Sequence, residues 1–310
     1  MSKIVLIGGA GFIGTNLINY FLNNTENEIV LVDSNIDYII DAFRNVSRIK
    51  IIISDYSSNT DFSKIVSKDD YVIHLASTNV PNSKGVSVYE QINNNLLPTI
   101  NLLNACVENK IKKFVFVSSG GAVYGKKVCC PIKEDNELNP ISAYGLQKAV
   151  IEKTIHLYSH LYKLEYNILR IANPYGPYQR PNSGLGVLTT IVHKTLNCES
   201  FDLYGDGSVK RDFIYISDVA KAVSNVMFSD YINEVFNIGS GRGVSVNELI
   251  GICESTLGKK INVIYHDGRL NDVPINFLNI EKYRTRFPEH KFIELEDGIK
   301  KTYNFMANNS

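Results

Sequence analysis

Apolar residues in the first half of the chain fall into short unbroken runs, separated by longer stretches with a helical period. Ile4-Val5-Leu6-Ile7 is the first run. A run without polar alternation is what a strand buried on both faces of a parallel sheet shows. Phe12, Leu17, Ile18 and Phe21 then hold one helix face as far as Asn23-Asn24. Largely apolar stretches at 28–32, 50–53, 70–75, 113–117 and 166–171 read as further strands. Helical patterns over 88–108, with a kink expected at Pro98, and over 141–161 lie between them. This alternation predicts an α/β protein built on a Rossmann-type doubly wound parallel sheet.

After Pro177 the rhythm changes. Gly and Pro cluster over 174–186, followed by an expected helix over 188–196, short strands over 201–203 and 211–215, and a helix over 218–227. The apolar run 235–238 is expected to return to the main sheet. A helix over 246–257, a strand over 261–265 and a final helix over 295–305 complete a smaller C-terminal lobe. The expected division is a sheet domain over 1–173, with roughly 212–241 returning to it, and a lobe over 174–211 and 242–310. A cleft between the two would hold a substrate.

Composition narrows the classes without naming one. Lys plus Arg equal Asp plus Glu at 32 each in 310 residues, so nothing points to nucleic acid or an acidic membrane surface. No apolar run approaches the roughly 20 residues that span a bilayer, and the first residues lack a secretory signal pattern. The five cysteines, Cys106, Cys129, Cys130, Cys198 and Cys253, lack metal-ligand spacing and read as reduced thiols. A cytoplasmic protein without a metal is expected.

Three local patterns carry chemistry. The glycine stretch over 8–14 sits between a strand and a helix, where Gly8, Gly11 and Gly14 allow a tight turn and close approach to a pyrophosphate. Asp33 ends the second strand, 19 residues after Gly14. A carboxylate there binds adenine-ribose hydroxyls and repels a 2'-phosphate, which favours NAD over NADP. Tyr144 and Lys148 stand four apart on one helix, so the ammonium is expected to lower the phenol's pKa toward working pH. Such a tyrosine can take a proton from an alcohol and return it.

Together with the motifs at 74–76, 118–125, 170–177, 203–220 and 236–241, these patterns resemble the extended short-chain dehydrogenase/reductase family. Within it, the likeness is to NAD-dependent sugar-nucleotide epimerases and dehydratases, most of all the UDP-glucose 4-epimerase group. The resemblance implies that Gly8, Gly11, Phe12, Ile13, Gly14, Asp33, Asp55, Ala76 and Asn95 line the NAD site. It implies that Lys148 holds the nicotinamide ribose, with Tyr144 as the proton shuttle. Asn173, Arg211, Arg269 and Asp272 would hold a UDP-sugar. It also implies a homodimer built on the long helix that carries Tyr144.

Two departures narrow the reaction. Many relatives carry a Ser or Thr where this chain has Gly120, so Ser119 is expected to hydrogen-bond the reacting hydroxyl instead. The Asp-Glu pair of the 4,6-dehydratases is replaced by Gly121 and Ala122, neither of which transfers a proton. The expected reaction is inversion at C4 of a UDP-hexose, UDP-glucose/UDP-galactose or an N-acetylated form, through a transient 4-keto sugar. The alternatives are an NAD(P)-dependent reductase of a 4-keto-6-deoxy sugar nucleotide and a non-catalytic NAD-binding module. His156 and His160, four apart, read as a surface or subunit-contact pair, His74 as a structural histidine, and Tyr158, Tyr162 and Tyr166 as packing residues.

Overall fold

A computed structural model describes residues 2–36, 41–78, 87–126, 129–181, 186–268 and 273–309. Strands β1 (Ile4–Ile7), β2 (Ile29–Asp33), β3 (Ile49–Ile53), β4 (Tyr71–His74), β5 (Lys113–Ser119) and β6 (Tyr166–Ile171) join a strand at Glu234–Ile238 in one seven-stranded sheet. Its order is Glu234–Ile238, β6, β5, β4, β1, β2, β3, and every pairing is parallel. The run 235–238 thus returns to the sheet beside β6.

Alternation within the apolar runs builds two cores. Ile4 and Leu6 of β1, Val115 and Val117 of β5, and Leu169 and Ile171 of β6 belong to one buried cluster. Val5 and Ile7, Phe114 and Phe116, and Tyr166 and Ile168 belong to the cluster on the opposite face. Successive side chains point to opposite faces, so a strand covered on both sides is apolar at most positions rather than alternating. The edge strand β3 is only partly buried and ends with Ile53 exposed.

A third cluster joins the helices Val187–Leu196, Val246–Leu257 and Leu295–Asn308 with Phe201, Leu203, Phe213 and Tyr215. Leu278, Ile280 and Tyr283 belong instead to the first core, so the helix Glu281–Arg286 packs on the sheet side.

Local irregularities have local causes. The pattern over 88–108 is one helical stretch with a wide π-turn at Ile92–Leu96, directly before Leu97–Glu108. Pro98 has no N–H to donate and its ring crowds the preceding turn, so the widening falls N-terminal to it. The expected strand over 211–215 is split, with Lys210–Arg211 pairing Val244–Ser245 and Ile275–Asn276, Phe213–Tyr215 pairing Asn173–Tyr175, and buried Asp212 at the break. No helix among the described residues is long and apolar enough to cross a membrane.

Candidate active site

The sheet order reverses between β1 and β4, and the loops after those two strands meet there. In an open α/β sheet a ligand crevice forms at that point. Gly8 has φ +79° and packs so closely on Ala76 that a β-carbon would overlap the Ala76 backbone. A β-carbon at Gly14 would overlap the Gly9 carbonyl. Gly11, by contrast, faces open space. It precedes the helix Phe12–Asn24, whose N-terminus has no side-chain cap and no acidic residue in its first turn. The first N–H groups of such a helix lack intrahelical partners and favour an anion. Glycines that tighten the loop, an open face and uncapped amides together fit a pyrophosphate.

Asp33 Oδ2 accepts from the Ala10 N–H at 2.9 Å and Oδ1 from the Asn35 N–H at 3.2 Å. The half-buried carboxylate is thereby fixed at the rim of the glycine loop. Asp55 lies exposed just past β3. Asn95, in the π-turn, is fully buried: its side-chain oxygen accepts from the Thr78 N–H at 2.9 Å, and its amide nitrogen donates to Thr78 Oγ1 and Gln91 Oε1. It braces the chain leaving β4. NAD is the cofactor of this protein's family, and the glycine loop and Asp33 fit it.

Tyr144 enters the site at the start of the helix Ala143–Tyr162. Ser142 caps that helix, accepting from the Gly145 N–H at 3.0 Å. A β-carbon at Gly145 would overlap the Ala122 carbonyl. Glycine therefore lets the helix start press against the turn over 119–122, which carries Ser119 to Tyr144. The Ser119 hydroxyl lies close enough to the Tyr144 phenol to act on its ionisation. Gly121 leaves room between Ser119 and Asn173, whose side-chain oxygens approach no closer than 4.0 Å to a β-carbon added there.

Lys148 is buried, its ammonium donating to the Val117 carbonyl at 3.1 Å and lying 5.8 Å from the Tyr144 ring centre. The expected lowering of the Tyr144 pKa by this lysine is not met. Burial pushes the phenol up to about 12, and the Ser119 hydroxyl pulls against it. Lys148 is itself pushed down to about 8 by burial, with the Glu152 carboxylate opposing. The low-dielectric surroundings disfavour both charged forms, and this outweighs the attraction that the spacing suggested.

Behind the site lies a buried ion pair that sequence reasoning missed. Arg170 donates through Nε and Nη2 to Glu152, at 2.7 Å for the shortest contact, and through Nη1 to the Tyr124 hydroxyl and the Glu134 carbonyl. The Ser118 hydroxyl donates to Glu152 as well. Glu152 sits four residues after Lys148, which was the available signal.

On the lobe side, Asn173 donates to the Asp212 carbonyl at 2.9 Å. Arg211 donates to the carbonyls of Lys210 and Val273 at 2.9 and 2.7 Å. Arg269 and Asp272 lie outside the described residues. Asp212, also unforeseen, is fully buried and accepts from Ser240 N–H and Oγ, Gly241 N–H and Leu278 N–H. Burial raises its pKa.

Of the remaining candidates, His74 shares Nε2 with the hydroxyls of Tyr56 and Thr99, and burial drives its pKa well below the usual range. His156 bonds the Tyr166 hydroxyl at 2.8 Å. Tyr158 and Tyr166 are buried, while Tyr162 is exposed.

A cofactor-binding crevice at the sheet's switch point, beside a Ser–Tyr–Lys cluster, defines a Rossmann-type dinucleotide enzyme. The chain belongs to the NAD-dependent epimerase/dehydratase family, whose model matches residues 4–239. It is similar to a Methanocaldococcus jannaschii chain provisionally described as a UDP-glucose 4-epimerase, 39% identical over 313 residues, with 99% of each chain covered. It is also similar to the dTDP-4-dehydro-6-deoxyglucose reductase of Escherichia coli, 31% identical with 96% of this chain and 95% of that one covered. Among solved structures, the UDP-N-acetylglucosamine 4-epimerase of Methanobrevibacter ruminantium, in complex with UDP-N-acetylmuramic acid, matches with a TM-score of 0.90. Their sequences are 32% identical, with 100% of this chain and 99% of that one covered.

Proposed function

We propose that the chain is an NAD-dependent 4-epimerase of a UDP-hexose. The observation that carries this reading is the cluster of Tyr144, the adjacent Ser119 hydroxyl and the buried Lys148 ammonium 5.8 Å from the Tyr144 ring centre, with Gly121 and Ala122 where a dehydratase needs an acid and a base. Bound NAD supplies a hydride acceptor at C4 and, as the oxidised cation, a positive charge that favours the phenolate. Tyr144 takes the proton of the 4-hydroxyl and later returns it to the opposite face. Ser119 donates its hydrogen bond to the reacting oxygen or to Tyr144. Lys148 holds the ribose beside them. Asn173 and Arg211 retain the diphosphate while the 4-keto sugar turns over, and a guanidinium matches that group well. With no residue at 121 or 122 able to move a second proton, elimination of water has no base, and hydride plus one proton shuttle suffices.

The enzyme is read as a homodimer that joins through the long helix, where Leu146, Val150, Leu157 and Leu161 are exposed apolar residues. A dimer closing over them would remove an unusual apolar face from water.

The test is incubation of the purified protein with UDP-galactose and with UDP-N-acetylgalactosamine, without added cofactor. Conversion of at least one to its C4 epimer is expected; conversion of neither overturns the proposal. The likeness to the E. coli reductase favours a second reading, net reduction of a 4-keto-6-deoxy sugar nucleotide. That reading requires stoichiometric reduced cofactor.

A further inference from the structure

Gly120 stands where the family resemblance implies a hydroxyl, and the structure shows what fills its place. A β-carbon at Gly120 would lie 2.6 Å from Leu278 Cδ1, 3.0 Å from its Cδ2 and 3.2 Å from the Arg170 carbonyl. Position 120 thus faces Leu278, whose side chain is fully buried. The Gly120 carbonyl accepts a hydrogen bond from Asn276 Nδ2 at 3.3 Å, and the Gly120 N–H donates to the Ile171 carbonyl at 2.8 Å. Asn276 is 1% exposed, and its side-chain oxygen has no partner among the described residues.

The segment that carries Asn276 and Leu278 is pinned along its length. Ile275 and Asn276 pair in parallel with Lys210 and Arg211. The Leu278 N–H donates to Asp212. Ile132 donates to the Phe277 carbonyl at 3.0 Å and accepts from the Asn279 N–H at 2.7 Å. A strand tied at Arg211, at Asp212 and at 132 cannot shift without moving the turn it presses on.

From this geometry we infer that Asn276 and Leu278 are positioning residues, which set the Ser119 hydroxyl against Tyr144 by clamping Gly120 from behind. The inference rests on the reading of Ser119 and Tyr144 given above. It also gives the glycine at 120 a reason: Leu278 occupies the volume a side chain would need, so the hydroxyl has to come from the neighbouring residue. Arg211, proposed to hold the diphosphate, is paired to the same strand, so the two ends of the substrate site share one support. Lys148, on the same helix as Tyr144, is the charged group that faces its ring.

The experiment is a double-mutant cycle on the NAD-bound protein with Asn276→Ala and Ser119→Ala. Two readouts are taken. One is kcat and KM for whichever UDP-hexose is turned over. The other is the pH titration of the Tyr144 ring carbon by NMR, assigned as the signal lost in Tyr144→Phe. Asn276→Ala is expected to lower kcat about tenfold with KM within about twofold, as a misplaced catalytic group does. It is also expected to raise the Tyr144 titration midpoint in the same direction as Ser119→Ala. In the Ser119→Ala background Asn276→Ala should change neither quantity further. Equal effects of Asn276→Ala with and without Ser119 overturn the inference.

The titration needs no substrate, so inactivity toward every UDP-hexose would sink the proposed function while the cycle still decides the inference. A second pair guards against a folding defect. Gly120→Ala should impair both readouts, and Leu278→Ala should restore part of the loss in the double variant. A double variant no better than Gly120→Ala alone counts against the clamp.

Discussion

Replacing Lys148 by methionine should make the cofactor-free protein more stable while abolishing turnover. The buried ammonium is pushed from its ordinary 10.5 down to about 8. Each pKa unit corresponds to about 1.4 kcal/mol, so holding the charge in the fold costs on the order of 3 kcal/mol. The sign follows from proton counts. Between pH 8 and 10.5 the unfolded chain keeps a proton that the folded chain has released, so this group's contribution to stability rises with pH across that window. Below pH 8 the penalty is present in full; above about 10.5 it is gone. Methionine keeps an unbranched side chain over the Phe116 ring, where the ammonium lies 4.8 Å from the centre. It loses only the hydrogen bond to Val117. The variant should therefore exceed the wild type by about 2–3 kcal/mol at pH 7, once roughly 1 kcal/mol is deducted for that bond. The gap should close as pH approaches 10.5. Urea unfolding of both proteins at pH 7, 8.5 and 10 measures it. A Lys148→Met protein less stable than wild type at pH 7, or a gap unchanged by pH, would refute the reasoning.

Further outcomes can be checked alongside. Ser119→Ala should reduce kcat by about tenfold to a hundredfold, and steady-state kinetics showing a loss under about threefold would remove Ser119 from the proton chemistry. The glycines should separate by role. Gly8→Ala, strained at φ +79° and blocked by Ala76, should cost more than about 2 kcal/mol of cofactor-free stability by urea unfolding. Gly11→Ala should leave that stability within about 1 kcal/mol yet weaken NAD binding by calorimetry, because its β-carbon would enter only open space, where the proposed NAD site puts the pyrophosphate. Arg170→Met leaves Glu152 buried without its cation and should destabilise by about 3–5 kcal/mol in denaturant titration. The paired change Arg170→Met with Glu152→Leu should recover most of that.

The sheet was readable because parallel strands covered on both faces are apolar at most positions, as 4–7, 114–117 and 168–169 are. The tight glycine turn between the first strand and helix was readable because such a turn constrains residue type and spacing together. The electrostatics were not: spacing places Lys148 near Tyr144 but cannot report that burial outweighs the pair's attraction. The supports also escaped notice. Asp212, Asn276 and Leu278 make contacts 28 to 156 residues distant in sequence, and no local period marks such contacts. The roles of Gly145 and Gly120 rest on the neighbours their missing β-carbons admit, Ala122 and Leu278, which no local pattern reports.

The central claim is inversion at C4 through one shuttle, Tyr144, with the hydride returned within each cycle. It is met most directly by turning over UDP-galactose deuterated at C4 and analysing the product by NMR and mass spectrometry, with no cofactor added. The account predicts UDP-glucose that retains the deuterium at C4, no accumulation of reduced cofactor, and complete loss of conversion in Tyr144→Phe. Label washed out into solvent, turnover only with stoichiometric reduced cofactor, or undiminished conversion by Tyr144→Phe would contradict it.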